Sequence, residues 1–424
     1  MANLQQVNEN FILVGEARIN KDLDRYVKVE PLGKNGWMRK RLNLGVKISD
    51  TNNIYVGLEA GFWSDEAIER TKNETGKDER GKDKKKQNWI YRSDKQEDGS
   101  NKTTKIPFDK RFDEEVVETI PYFNKITVAL ENETANVNGD NGELKKQIKI
   151  DSNENPMLIQ KVFIFAGDAI DYIQKHLKNG QKIYVYGHTE INQYVNKMGE
   201  LKTNFNRVID QIRLARKDEE NQAIGTTNFY MTKDSFDKSD FKHSRKYYIQ
   251  GHRTYKREDK VVVPVPVTYI LDFSNLKVNW EDEAIKERVD YLTGVFTENI
   301  KRDKVYRTSW RYMIFEGNSE TELIEKDLSN DLKKRVKLGF ITLEQAIKQM
   351  RGSSIGTKIK ELRLVMPVGE EDKTLMEEYE IEDLVPPVIE NKVNEVEEKA
   401  KQEEEEKQEQ VKQDITAQFD AMFK

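Results

Sequence analysis

Apolar and polar residues alternate with a period of two along much of the first 60 positions. From Trp37 to Ile48, the residues Met38, Leu42, Leu44, Val46 and Ile48 fall on one side, and Trp37, Arg39, Arg41 and Asn43 on the other. Lys40 is the one charge on the apolar side. This is the pattern of a strand buried on one face. Residues 9–20 and 53–63 read the same way, the latter with Ile54, Val56 and Leu58 against Tyr55 and Gly57, and Asp50–Asn53 supplies the turn before it. Residues 64–118 break the alternation with an almost wholly charged run from Lys77 to Gln87, read as a mobile basic insertion held by Trp89, Tyr91 and Phe108. A strand is expected again at 122–130, followed by a polar excursion over 131–157.

The best-patterned block is 161–216. Residues 161–166 read as a strand, and Ala169–Leu177 as a helix with Ile170, Ile173 and Leu177 inward, Asp168 as its cap and Asn179–Gly180 as its stop. Two long strands follow, Gln181–Tyr194 and Asn204–Leu214. Beyond residue 225 strands are expected at 226–231, 246–256, 260–272, 304–316 and 359–366, and helices at 281–296 and 321–350. Pro264 and Pro266 make their strand an edge or a bulged one. The two halves share a strand–helix–strand rhythm without a repeat at fixed spacing.

Composition changes this picture in one respect. The net charge of −5 conceals a division: residues 370–424 hold 19 acidic side chains against 7 lysines, so the remaining body is basic. A basic, aromatic-rich body suits a polyanion, and an acidic arm ending in the apolar tip Asp414–Lys424 suits a protein partner. If the tip is helical, Ile415, Phe419, Met422 and Phe423 share one face and Asp414 caps it. The arm can also lie on the body's own basic groove. With no cysteine, disulfides and cysteine-ligated metals are excluded. Neither a secretion signal nor an 18-residue apolar run is present, so a cytoplasmic protein without a membrane span is expected.

Residues 161–214 resemble the second half of a bacterial or phage-type single-stranded DNA-binding protein of the OB-fold family. The resemblance is carried by Val162–Ala166, by Leu177-Lys-Asn-Gly180 feeding Ile183-Tyr-Val-Tyr-Gly187, and by Phe205–Leu214. It implies a mainly β fold with short helices (α+β): an OB-fold barrel over 1–218 with insertions near 64–118 and 131–157, then a second β-rich, OB-like unit over 219–369. An acidic, disordered linker over 370–413 and a partner-docking tip over 414–424 would follow. It also places Lys197–Glu200 where the family has a hairpin loop that tracks DNA. The tail echoes the family's docking tail in Asp414, Ile415, Phe419, Asp420 and Phe423 but lacks its Pro and ends in Lys424, so docking to the same partners is not implied. The chain's size suits a phage version acting in the bacterial host cell.

An OB barrel holds a single strand by stacking rings on bases and neutralising phosphates. The candidate rings are Trp37, Tyr55, Trp63, Trp89, Tyr184, Tyr186 and Tyr194, and the candidate cations are Arg39, Arg41, Lys182, Lys197, Lys202 and Arg207. Each has a plainer reading: Trp37 plugs the barrel end, Trp63 is core, and the tyrosines cover a sheet edge. Interleaved bases and aromatics at 243–257 and 304–312, among them Arg253, Tyr255, Trp310 and Arg311, suggest either a second nucleic-acid surface or a domain or subunit interface. The four histidines show no metal-ligand spacing and no phosphate loop occurs, so no enzyme activity, metal or cofactor is expected. The expected function is sequence-independent binding and protection of single-stranded DNA during replication, recombination or repair. Its tail would recruit a partner, and a homo-oligomer stays open. The alternative is a protein-binding or structural phage protein built on OB-like β domains.

Overall fold

The structure is a computed structural model. It describes residues 4–6, 9–77, 83–95, 101–138, 144–196, 198, 200–256, 261–274, 282–318, 330–343, 345–346, 358–368 and 375–384. The chain opens with strand β1 (Asn10–Arg18), helix α1 (Leu23–Tyr26), β2 (Val27–Pro31), β3 (Trp37–Lys47) and β4 (Asn53–Trp63). An inserted segment carries α2 (Asp65–Arg70), β5 (Trp89–Lys95), β6 (Asn101–Pro107), α3 (Glu114–Thr119), β7 (Ile126–Asn132), β8 (Thr134–Asn138), β9 (Leu144–Ile148) and β10 (Leu158–Phe163). Helix α4 (Ala166–His176) and strands β11 (Lys182–Val195) and β12 (Leu201–Leu214) complete this half.

Five of these strands close on themselves. β3 pairs antiparallel with β1 and, from Trp37↔Trp63 to Lys47↔Asn53, with β4. β4 meets β12 in parallel at Val208↔Gly57, β12 pairs antiparallel with β11, and β11 returns to β1 over Asn10↔His188 to Glu16↔Lys182. The order is 1-2-3-5-4-1, with the third and fifth strands parallel and α4 between the third and fourth. This is the arrangement of an OB barrel. Leu13, Leu44, Val46, Ile54, Val56, Ile183, Val185, Ile209 and Ile212 fill it, and α4 packs Ala169, Ile170 and Ile173 against the same core. Each such aliphatic side chain, fully buried, stabilises by about 1.5–3 kcal/mol. Lys40, the charge among apolar neighbours, reaches Asp171 of α4 at 2.5 Å.

The second half repeats the scheme with β13 (Gln222–Met231), β14 (Phe236–Asp237), α5 (Phe241–Ser244), β15 (Lys246–Lys256), β16 (Val262–Asp272), α6 (Glu283–Thr297), β17 (Lys304–Asn318), α7 (Asn330–Lys337), β18 (Lys358–Pro367) and β19 (Leu375–Glu380). Its ring is β13–β15–β16–β18–β17–β13, with β16 and β18 parallel at Ile270↔Arg363 and α6 again between the third and fourth strands. Followed once round, the ladder pairings of both rings return to the first strand displaced by about ten residues, so tilt and stagger agree as well as order. The shared rhythm in the sequence is thus a repeated topology, concealed by insertions of unequal length.

The two barrels join through their first strands. β1 and β13 pair antiparallel from Asn10↔Thr226 to Val14↔Gln222, about Ile12↔Ile224. The N-terminal residues then strap the second barrel: the Gln5 N–H donates to the Tyr230 hydroxyl at 3.0 Å, Thr254 donates to the Gln5 carbonyl at 2.6 Å, and Leu4 packs with Tyr230, Val305 and Tyr379.

Several expectations are corrected. The insertion over 64–118 expected to be mobile carries a β5–β6 hairpin, and the polar excursion over 131–157 carries a β8–β9 hairpin, whereas the strand expected at 122–130 is present as β7, which adds to the first barrel beside β12. Asp168 does not cap α4, whose N-cap is Phe165 without a side-chain bond; it instead binds Arg111 of the insertion at 2.7 Å. Of the helix expected over 321–350, α7 covers Asn330–Lys337 and residues 343, 345 and 346 are helical again after a turn, while 321–329, 344 and 347–350 lie outside the described residues. The stretch expected as acidic linker from residue 370 includes β19, which pairs with β17 at Lys304↔Glu380, because Lys304 and Lys301 meet Glu380 and Glu378 there. Pro264 and Pro266 lie where β16 has β15 on one side and does not yet meet β18, as an edge requires. A 3-10 turn, Ile381–Leu384, follows β19, and the rest of the linker and the tip, with Asp414, Ile415, Phe419, Met422 and Phe423, lie outside the described residues.

Candidate nucleic-acid interface

Alternation along β3 and β4 sends Leu42, Leu44, Val46, Ile54, Val56 and Leu58 inward, so Arg39, Arg41 and Tyr55 must face out. Across the neighbouring strands the same rule brings out Tyr186 and His188 on β11 and Phe205 and Arg207 on β12. Together they line a groove of about 1930 Å³ over the outer face of the first barrel. It extends to β15 of the second barrel, where Arg253, Thr254, Tyr255 and Lys256 form its end. Gly187 lets β11 bend here: a Cβ at this position would lie 1.9 Å from the Val208 carbonyl oxygen, and the β11–β12 register shifts at the same place. Beyond the bulge the two strands run on as a long hairpin to Val195↔Leu201.

Charge in the groove is unevenly matched. Lys28, Arg39 and Arg41 share one carboxylate, Glu30, at 2.5, 2.5 and 3.0 Å. Lys28 first, then Arg39, hold the Glu30 carboxyl down to about 2. Three cations around one anion leave net positive charge for a phosphate to meet, though Glu59 stands 3.9 Å from Arg39. The His188 Nδ1–H donates to the Asp210 carboxylate at 2.9 Å, and Nε2 lies 3.5 Å from Glu190. Its bond to Asp210 and then that to Glu190 raise it to about 9 against the opposing effect of burial, so it is a cation at neutral pH.

The expected contact residues divide into groups. Arg39, Arg41, Tyr55, Tyr186, Arg207, Arg253 and Tyr255 line the groove. Trp37 and Trp63 stand beside it as a half-buried edge-to-face pair, 4.9 Å between centroids. Trp37 lies against Gly61, where a Cβ would come within 2.5 Å of its ring, and Lys86 sits 4.8 Å over Trp63. Tyr194 is exposed on the hairpin, Lys202 pairs with Glu200 at 2.8 Å, and Lys197 is outside the described residues. Tyr184 lies under the Arg213 guanidinium at 4.0 Å, and the Lys182 ammonium donates to the Glu219 carbonyl, so both serve the barrel's own end. Arg207 binds Glu316 of β17 at 2.8 Å, and the Tyr255 hydroxyl donates to Gln193 of the hairpin at 2.8 Å; both contacts tie one barrel to the other.

Two expectations fail on burial. Trp310 is 0% exposed: its ring stacks on Phe296 at 5.1 Å and its indole N–H donates to Thr308 at 3.0 Å, so no base can reach it. Arg253 is also enclosed and pairs with Glu9 at 2.5 Å, its Nε donating to the Tyr269 hydroxyl at 2.7 Å. Arg311 alone of the β17 pair faces solvent. The sequence reading missed Phe205, Tyr122 and Phe123 as groove residues; the last two follow Pro121, a turn signal that was absorbed into an expected strand. Among the described residues no group of three or more His, Asp or Glu is placed to hold a metal, and no helix is long and apolar enough to cross a membrane.

No family model matches the chain, and no curated protein matches it. Among solved structures, the chain is similar to a deletion mutant of the single-stranded DNA binding protein from Thermus aquaticus, with 11% identity over 74% of this chain and 89% of that one. The TM-score of 0.26 is too low to establish a shared arrangement. The class rests on the strand order itself: a β-rich protein with two OB-type barrels, the first bearing long insertions.

Proposed function

We propose that the chain binds single-stranded DNA without sequence preference along the outer face of its first barrel, protecting it during replication or recombination, and that its acidic C-terminal arm recruits a protein partner. The observation that carries the reading is the groove over β3, β4, β12 and β11, where Arg39 and Arg41 stand beside Tyr55 and Tyr186. The second and third strands of an OB barrel, here β3 and β4, offer their face to oligonucleotides. Rings supply stacking that any base can use, and a cation cluster with surplus charge supplies phosphate contacts. The choice of DNA over RNA follows the sequence resemblance, and the arm's role follows its composition.

Tryptophan fluorescence titration with poly-dT and with duplex DNA of equal length tests it, at low and moderate salt. Trp37 and Trp63 flank the groove, so quenching by poly-dT, weak with duplex and eroded by salt, is expected. No quenching, with no gel shift by either, overturns the reading and turns attention to a protein ligand.

A further inference from the structure

We propose that Tyr122 and Phe123, supplied by the insertion and not by the barrel, form a base-stacking step that extends the binding path of the first barrel. The inference rests on the single-strand reading above. Both rings line the groove, yet they are 85% and 64% exposed, the most open aromatic pair among the described residues. Their centroids lie 5.6 Å apart with planes at 80°, so each leaves a face free for a planar ligand. They are not on a loose loop. A one-turn 3-10 helix, Tyr122–Asn124, holds them, with Asn124 N–H bonded to the Pro121 carbonyl at 3.0 Å and Lys125 N–H to the Tyr122 carbonyl at 3.1 Å. β7 starts two residues later and is locked beside β12 at Gln211↔Thr127. Gln211 in turn pairs with Tyr186, so the turn that carries the insertion's rings leads into a strand two places along the sheet from the barrel's outward tyrosine. Burial pushes the Tyr186 phenol up, and Asp210 and then Tyr122 add to this, which places the two hydroxyls within electrostatic reach.

The occupant is argued from the surrounding charge. An aromatic step alone would suit an apolar peptide as well. Here it shares one groove with Lys28, Arg39 and Arg41, whose surplus charge matches a phosphate chain. A single strand offers bases to the rings and phosphates to the cations at once.

The test uses the full chain and a labelled oligo-dT, read by fluorescence anisotropy. Replacing both rings (Tyr122→Ala with Phe123→Ala) is expected to weaken binding at least about fivefold, up to about 150-fold for each stacked base. The salt slope should stay unchanged, because no phosphate contact is lost. Tyr122→Phe, which keeps the ring, should bind within about twofold of the unmutated protein. In the unmutated protein, photo-cross-linking to an oligonucleotide carrying 5-iododeoxyuridine should label Tyr122 or Phe123. Unchanged affinity in the double variant, or cross-links confined to other residues, overturns the inference while leaving the barrel's role intact. Failure of the unmutated protein to bind oligo-dT overturns both. An apolar peptide competing equally well with the unmutated protein and the double variant counts against the rings as a site.

Discussion

The two barrels share strand order, stagger and helix placement, and differ in which way their aromatic residues point. The first has a mainly aliphatic core, with Phe11 and Tyr26 as its buried rings, and Tyr55, Tyr186 and Phe205 lie outside in the groove. The second turns its rings inward: Phe229 stacks on Tyr269 at 4.3 Å, Trp310 on Phe296 at 5.1 Å, and Tyr312 is enclosed with them. The outer faces differ in charge too. On β15, β16 and β18, Lys246, Asp272, Glu361 and Arg363 form a closed network, with contacts of 2.7 to 3.7 Å and little exposure. Two cations meet two anions there, and nothing is left over. On the first barrel three cations share Glu30. One topology therefore carries two different outer faces, and a role is set by the face and not by the strand order.

The largest effect that could break this contrast is on stability. Trp310→Ala should cost about 3–5 kcal/mol in denaturant unfolding, since it empties a packed core, while the folded fraction keeps its affinity for oligo-dT. Tyr55→Ala should do the reverse, costing about 1–3 kcal/mol of binding with a smaller loss of stability, since the ring is exposed in the groove. If Trp310→Ala abolishes binding in a folded protein, the second barrel is not merely a scaffold. Next in size, removing Arg39 and Arg41 together should flatten the log–log salt dependence of binding by about 1.4, two phosphate contacts on a single strand. An unchanged slope would mean that Glu30 keeps both cations from the ligand.

The smallest effect is titration of His188. Its folded pKa, raised to about 9, exceeds the unfolded value near 6.5. Its ion pairs with Asp210 and Glu190 therefore stabilise fully below about pH 6.5, and that contribution is lost as pH rises through about 9. Melting temperature should fall between pH 7 and 9.5, less so in His188→Gln, and oligonucleotide affinity should weaken over the same interval as the groove loses a cation. Equal pH profiles for the two proteins would remove His188 from the account.

Strand positions were largely legible because alternation marks them: β3, β4, β11, β15 and β16 fall within a few residues of expectation. What period two cannot say is which face turns inward. Tyr306, Thr308, Trp310 and Tyr312 alternate with Arg307 and Arg311, a pattern that fits a stacking surface as well as a barrel core. The structure puts the aromatic set inside because α6 offers Phe296 to pack on it, a partner no local window reveals. Asp168 teaches the same point: its position before a helix suited a cap, but Arg111, 57 residues away, takes its carboxylate. The groove was half legible. Arg39, Arg41, Tyr55 and Tyr186 came from strand patterns, and the same alternation on β12 carries Phe205, whereas Tyr122 and Phe123 reach the groove only because β7 and β12 are neighbours in space.

The strap formed by Leu4 and Gln5 sets an order of assembly. These residues leave the ribosome well ahead of Tyr230, Thr254, Val305 and Tyr379, the groups they pack against. The edge of β1 that pairs with β13 waits likewise for residues 222–226. The strap and this edge of β1 thus find their place late, and during synthesis β1 presents an unpaired strand edge that other nascent chains can meet.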